Sequence, residues 1–216
     1  MLLFFDLDGP ILDVSPRYVA IHQQLLQQVG VTGMPGNTYW QRKRARRPEE
    51  EILREIGATE HCDAYQRRRL ELIETWEYLE LDQCWPWTKI VLEELSAAHT
   101  LVIVTVRAIR AGLIRELDHL GLSCFFSDVL STPAGKDVGR QKADLIEEYL
   151  TALSRKADGS YIVGDTEADI KAGNLTGLGT IAVLCGIRDK DHLAVAGADH
   201  IVNDIRELIL LPGFRS

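Results

Sequence analysis

The sequence predicts an α/β protein in which a mostly parallel sheet, covered by helices on both faces, is interrupted after its first strand by an all-helical insertion. Three observations carry this reading. A short apolar run at residues 2–5 stops abruptly in acidic residues. No convincing strand follows until residue 101. From there, short β-branched runs alternate with amphipathic helical segments up to residue 202, the pattern of parallel strands joined by right-handed helical crossovers.

The first strand, Leu2-Leu3-Phe4-Phe5, is apolar at every position and followed by Gly9-Pro10, which suits a strand buried on both faces. Ser15-Pro16 starts a helix with proline at its first position, and Tyr18, His22, Leu25, Leu26 and Val29 share one face before Gly30 ends it. A Gly/Pro loop over 31–37 leads into the basic segment Trp40 to Arg47, and after Pro48 an acidic helix start runs to Ile56. One further helix, expected to be the longest, places Tyr65, Leu72, Ile73, Trp76 and Leu79 on one stripe. Residues 15–85 therefore read as a helical domain inserted into an α/β domain made of residues 1–14 and 86–216. Within the latter, helices are expected at 90–95, 108–120 and 142–153, and strands at 101–105, 125–130, 161–163, 180–184 and 200–202.

A chain of 216 residues suffices for one α/β domain and a smaller one. The formal charge of −8 argues against general affinity for nucleic acid or an anionic membrane, so the basic run at 42–47 is a local feature. Cys62, Cys84, Cys124 and Cys185 are scattered without C-x-x-C spacing. They indicate neither a zinc site nor a disulfide framework, and reduced thiols in the cytoplasm are expected. The apolar start is too short for a signal segment, and no later apolar run approaches membrane-spanning length.

Asp6 and Asp8 lie one residue apart at the carboxyl end of the first strand, where an open α/β sheet binds its ligand. Unpaired, the two carboxylates would repel, and a bound cation removes that cost; turn-forming Asp residues at a strand end are the competing explanation. The stretch from Tyr161 to Asp169 repeats the arrangement. With a helix starting near Thr166, Asp169 comes about one turn from Asp165 on the same side, while Thr166 and Glu167 read as capping residues. A third strand ends in Thr105-Val106-Arg107, offering a hydroxyl, a backbone amide and a guanidinium to an anion, although an ordinary strand threonine and a surface arginine would look the same. Lys136 and Lys142 stand at the next loop-to-helix transition, and each alone would be expected to be solvated.

In this order and at these strand ends, the motifs resemble those of the haloacid dehalogenase superfamily of phosphatases, which combine a Rossmann-like core with, in one branch, a helical cap of the C1 type. Asp6-Leu7-Asp8-Gly9 is similar to the first motif, Thr105 to the Thr or Ser that closes a strand, and Gly164-Asp165 through Asp169 to the Gly-Asp-x-x-x-Asp motif. Lys142 is similar to the motif lysine near a helix start, with Lys136 as the alternative. The insertion at 15–85 resembles the cap, so the resemblance spans nearly the whole chain. In the phosphoglycolate-phosphatase-like branch an asparagine commonly follows the motif threonine; Val106 stands there instead, with Arg107 as a replacement contact.

The resemblance implies a Mg²⁺-dependent phosphohydrolase acting on a small phosphate monoester. Asp6 would be the nucleophile that forms an aspartyl-phosphate, and Asp8 the general acid and then base. Mg²⁺ would be held by Asp6, the Asp8 carbonyl, Asp165 and Asp169. Thr105 and Lys142 would hold the phosphoryl oxygens, with Val106 and Arg107 beside them. In the family a cap segment overhangs the active site; here it corresponds to the cationic loop Lys43 to Arg47, which would favour a substrate with a second anionic group, held first by Arg46 and second by Lys43. Asp8 argues against haloacid dehalogenation, which needs no leaving-group acid. The alternatives are a phosphomutase of the β-phosphoglucomutase type and a non-catalytic binding module that keeps the fold.

Overall fold

The computed structural model describes residues 1–214. The chain forms two compact units, one made of Met1–Asp13 and the chain from Cys84 onward, the other of Val14–Gln83. In chain order the strands are β1 (Leu2–Phe5), two-residue strands β2 (Leu12–Asp13) and β3 (Gln83–Cys84) at the crossings between units, β4 (Thr100–Thr105), β5 (Asp128–Ser131), β6 (Tyr161–Gly164), β7 (Gly179–Val183) and β8 (His200–Val202). The helices are α1 (Ser15–Gln28), α2 (Gly36–Arg44), α3 (Glu49–Glu55), α4 (Cys62–Leu72) and α5 (Trp76–Leu79) in the inserted unit. The sheet-bearing unit carries α6 (Thr88–Ala98), α7 (Arg110–His119), α8 (Val138–Ala152), α9 (Glu167–Thr176) and α10 (Lys190–Ala196).

The expected parallel sheet is present, with strand order β5-β4-β1-β6-β7-β8. β1 lies inside it, with Phe5 paired to Ile103 on one side and to Val163 on the other. All four of its residues are buried, which is why the strand is apolar on both faces. On one face Leu2 and Phe4 pack with Val102, Val104 and Ile162 against Ala143, Ile146 and Leu150 of α8 and Ala172 of α9. Each fully buried Leu or Phe contributes about 2 kcal/mol relative to exposure. On the opposite face Phe5 meets Phe126 edge-on, with ring centroids 6.3 Å apart. The next strand of this sheet in chain order after β1, β4, lies on one side of it, while β6 and β7 lie on the other. The crevice at the carboxyl ends of β1 and β6 is therefore the topological switch point.

Within the inserted unit, Ile21, Leu25 and Leu26 of α1 form a core with Leu53, Tyr65, Leu72 and Tyr78. A buried ion pair, Arg17 to Asp82 at 3.2 Å, joins its first and last turns of chain, and Arg17 also donates to the Ile73 carbonyl at 3.1 Å.

Several boundaries differ from expectation for local reasons. The single long helix over 65–79 is two, because Thr75 adopts an extended conformation and both its hydroxyl and its N–H donate to the Leu72 carbonyl at 2.9 Å. The apolar stripe continues across the break, since burial requires the pattern whether or not the helix is continuous. The longest helix among the described residues is instead α8, with 15 residues. It starts four residues before Lys142, where Asp137 accepts from the Arg140 N–H at 3.1 Å, so Lys142 lies inside the helix rather than opening it. The strand expected at 125–130 is displaced to Asp128–Ser131 by a 3₁₀ turn at Ser123–Phe125. The segment expected as a cationic loop is partly helical, with Arg42, Lys43 and Arg44 in the last turn of α2, where cations suit the helix dipole.

Candidate active site

Asp6 follows β1 directly and is held by its own backbone: its N–H donates to the Val163 carbonyl at 2.9 Å, and its Oδ1 accepts the Leu7 N–H at 2.8 Å. Asp165 follows β6 and Asp169 sits in the first turn of α9. One oxygen from each of Asp6, Asp165 and Asp169 can be chosen so that all three lie within 4.8 Å of one another, and all three residues are buried. Lys142 reaches this group from α8, with its Nζ 2.9 Å from Asp6 Oδ2 and 2.6 Å from Asp169 Oδ1. The other Asp169 oxygen accepts from the Thr166 N–H at 3.0 Å and hydroxyl at 2.7 Å, which orients the carboxylate and caps α9. Glu167 is turned to Arg188, 3.0 Å away. Lys136, the alternative lysine, is exposed in the loop before α8.

Burial pushes the Asp6 carboxyl up to about 7, against the pull of Lys142. Burial, then Asp6 and Asp169, raise Asp165 well above the usual carboxylate range. For Lys142 burial works the other way, yet Asp169 and Asp6 together hold its ammonium above its ordinary value. Three carboxylates against one ammonium leave a charge of −2 when all are ionised. Asp165 Oδ1 is buried with no hydrogen-bond partner, a costly state for a carboxylate oxygen, while its Oδ2 accepts the Ile187 N–H at 2.5 Å. A side chain on Gly9 or Gly186 would collide with the Asp165 carboxylate, and Gly9 has φ +103°. The glycines thus form a cradle around an oxygen that lacks a partner. A hard divalent cation matches the charge, the all-oxygen donors and the orphaned atom.

Thr105 ends β4 and is buried; Val106 beside it is half-buried. Arg107, two residues past the strand, is buried, with its Nη2 2.5 Å from Asp8 Oδ1 and its Nη1 3.3 Å from Glu116 Oε2. It is therefore not a solvated surface charge but lies between two carboxylates. Glu116 did not figure in the sequence reading. Its signal was available, since with Leu113 and Leu117 it falls on the inward stripe of α7, where an acidic residue needs a reason.

In the inserted unit, Lys43 Nζ lies 2.7 Å from Glu49 Oε2, and Glu49 Oε1 accepts the Tyr39 hydroxyl at 2.9 Å. Although burial opposes it, Lys43 holds the Glu49 carboxyl below its ordinary value. Arg46 is exposed, with a backbone φ of 54°. Buried His22 stacks on Tyr39 at 3.9 Å. Its Nε2 accepts the Met34 N–H at 3.2 Å, which leaves Nδ1 to donate to the Tyr65 hydroxyl 3.0 Å away.

Among known proteins, residues 3–183 match the profile of the haloacid dehalogenase-like hydrolases. A phosphoglycolate phosphatase from Aquifex aeolicus is 27% identical over 191 residues, covering 86% of this chain and 85% of that protein. The pyrophosphatase PpaX of Anoxybacillus flavithermus is 26% identical over 226 residues, covering 99% and 97%. A haloacid dehalogenase-like hydrolase from Streptococcus pneumoniae shares the fold with a TM-score of 0.76, 21% identity and coverage of 97% and 96%.

Proposed function

The chain belongs to the haloacid dehalogenase-like hydrolase family and is a phosphatase of it, and from that premise we propose that it hydrolyses a small phosphate monoester through an aspartyl-phosphate on Asp6. The observation that carries the proposal is the buried cluster in which Lys142 bridges Asp6 and Asp169 beside Asp165. Buried carboxyls with raised proton affinity, here Asp6 and Asp165, gather at sites that handle charge.

In this reading Asp6 Oδ attacks phosphorus while the bond to the leaving oxygen breaks, and Asp8 gives that oxygen its proton. Asp8 then takes a proton from the water that cleaves the acyl phosphate, which releases phosphate, returns Asp6 to a carboxylate and leaves Asp8 protonated again. Thr105 and Lys142 hold the phosphoryl oxygens as charge spreads over them, and Lys142 also fixes the orientation of Asp6. Val106 contributes its backbone N–H. Asp6, the Asp8 carbonyl and Asp165, with Asp169 in support, would hold Mg²⁺, which would supply the positive charge that the −2 cluster lacks and that a phosphoryl dianion requires.

For the substrate we propose a monoester with a second anionic group, received by Arg46 first and Lys43 second. Phosphoglycolate and pyrophosphate, named in the two relatives, both carry one, and the planar fork of a guanidinium suits a bidentate anion better than an ammonium does. The test is phosphate release from a panel of monoesters with and without Mg²⁺. Mg²⁺-dependent turnover, lost in Asp6→Asn and highest for esters with a second anion, is expected. Asp6→Asn activity within about tenfold of wild type would remove the covalent mechanism. Little net phosphate release, with a need for a bisphosphate activator, would make the enzyme a mutase.

A further inference from the structure

Beside the carboxylate cluster, Asp8 is joined to two buried charged residues, Arg107 and Glu116, to which the proposed chemistry gives no role. Glu116 is 1% exposed and Arg107 5%. Glu116 Oε2 lies 3.3 Å from Arg107 Nη1, and Arg107 Nη2 lies 2.5 Å from Asp8 Oδ1. The three residues come from three elements: the turn after β1, the loop after β4 and the inward face of α7.

We propose that Arg107 and Glu116 are positioning residues for Asp8: Glu116 anchors the guanidinium, and the guanidinium fixes Oδ1 of Asp8 so that its carboxyl group faces the leaving oxygen. The inference rests on the reading above, in which Asp8 serves as the general acid and base.

Stability alone does not account for the arrangement. Burying an ion pair costs several kcal/mol of desolvation per ion, and well-packed apolar residues of similar volume are often as good or better. Position 116 lies between Leu113 and Leu117, both buried, where leucine would pack without any charge to neutralise. Arg107 Nη2 donates to Asp8, and Nη1 lies within ion-pair distance of Glu116, 3.3 Å away, without hydrogen-bond geometry. A planar fork is suited to this because its two donors have a fixed angle, whereas an ammonium would act as a point charge. Asp8, 27% exposed at its side chain, follows a strand end and has no helix to restrain its rotamer, so an outside contact must set its direction. General acid catalysis depends on that direction, since the donor must come within hydrogen-bond reach of the leaving oxygen.

The position of Arg107 in the chain supports this assignment. It is two residues beyond Thr105 on β4, the strand next to β1, so the threonine that meets the phosphoryl group and the arginine that meets the acid come from one short segment. Arg107 therefore acts through Asp8 rather than as a ligand of the substrate.

The decisive variant is Glu116→Gln, which keeps the shape and removes the charge. The expected result is a kcat for alkyl phosphates reduced by about tenfold or more, a smaller loss for p-nitrophenyl phosphate, whose leaving group needs little protonation, and a nearly unchanged KM. Arg107→Met should show the same leaving-group dependence, and Arg107→Lys should recover little of it. The Arg107→Met/Glu116→Gln double variant should be no worse than Arg107→Met alone, because the two act in series. Equal losses on good and poor leaving groups, a change confined to KM, or additive losses would overturn the proposal. A crystal structure of Glu116→Gln gives an arm independent of activity: a displaced or multiply oriented Asp8 side chain supports positioning, and an unmoved one refutes it. If the wild type releases no phosphate from any ester, the functional reading has failed, and this arm still decides whether Glu116 orients Asp8. Should Arg107→Met fail to fold, Arg107→Met/Glu116→Leu removes both charges and takes its place in the kinetic comparison.

Discussion

Asp165 shows how single residues with no chemistry of their own can define a site. Two glycines from distant parts of the chain, Gly9 and Gly186, give its carboxylate space that any side chain would occupy. Only one of them, Gly9, also has a backbone conformation unfavourable to other residues, φ +103°. Gly177, at the end of α9 with φ +74° and nothing within 4 Å, separates the two effects. Gly177→Ala should cost only backbone strain, about 1–2 kcal/mol, and leave turnover intact. Gly9→Ala adds the collision and should reduce kcat/KM by about 100-fold or more through displacement of Asp165. Thermal unfolding of both variants, measured beside their kinetics, checks this; wild-type turnover in Gly9→Ala would mean that Asp165 can move without consequence. Before the structure, Gly9 could be read as a turn residue beside Asp8, but its contact with a residue 156 positions later in sequence could not.

At the scale of elements, the strand ends were legible because burial on two faces leaves a plain signature in Leu2-Leu3-Phe4-Phe5 and in Tyr161-Ile162-Val163, each followed by acid. Helix interiors were less so. Lys142 looked like the first residue of its helix, whereas α8 begins at Val138. The acidic cap that sets the true start, Asp137, is followed by Val138 and Gly139, which hold no periodic signal. The four-residue difference matters physically. On the second turn, Lys142 shares the buried face with Gly139, Ala143 and Ile146, and its stem passes through the core before its ammonium meets Asp6 and Asp169. A lysine so confined keeps its charge only because those carboxylates are present. Lys142→Ala should therefore lower kcat far more than Lys136→Ala, by roughly 100-fold or more against less than about threefold. The reverse ranking would reassign the phosphate lysine to the exposed loop. Glu116 eluded the sequence reading for a related reason: a helix pattern is read from its apolar positions, and a charge on the inward stripe is easily counted as an interruption rather than as a site.

For the whole molecule, the pH dependence of folding is set by a few buried groups rather than by the net charge of −8. Burial lowers His22 from 6.5 to about 4, with Glu49 opposing and Lys43 reinforcing the shift. Folded His22 thus remains neutral down to about pH 4, while an unfolded histidine takes up a proton below about 6.5. Between those limits the unfolded chain binds more protons, so stability falls as the pH is lowered through the window and levels off below it. The full shift corresponds to at most ~3 kcal/mol. Asp6 works in the opposite sense without metal. Its carboxyl is raised from 3.8 to about 7, so its contribution is present at low pH and is lost as the pH rises through 7. The two trends partly cancel in the wild type, and a flat profile would conceal both. They separate in His22→Gln, which can still accept the Met34 N–H but cannot become charged, and which leaves Asp6 untouched in the other unit. Urea unfolding of both proteins from pH 4 to 8 should therefore give a stability difference that changes between pH 6.5 and 4 in favour of the variant and is constant above pH 7. A difference independent of pH would show that His22 is protonated with equal ease in the folded and unfolded chains, and that the hydrogen bonds to Met34 and Tyr65 do not hold it neutral.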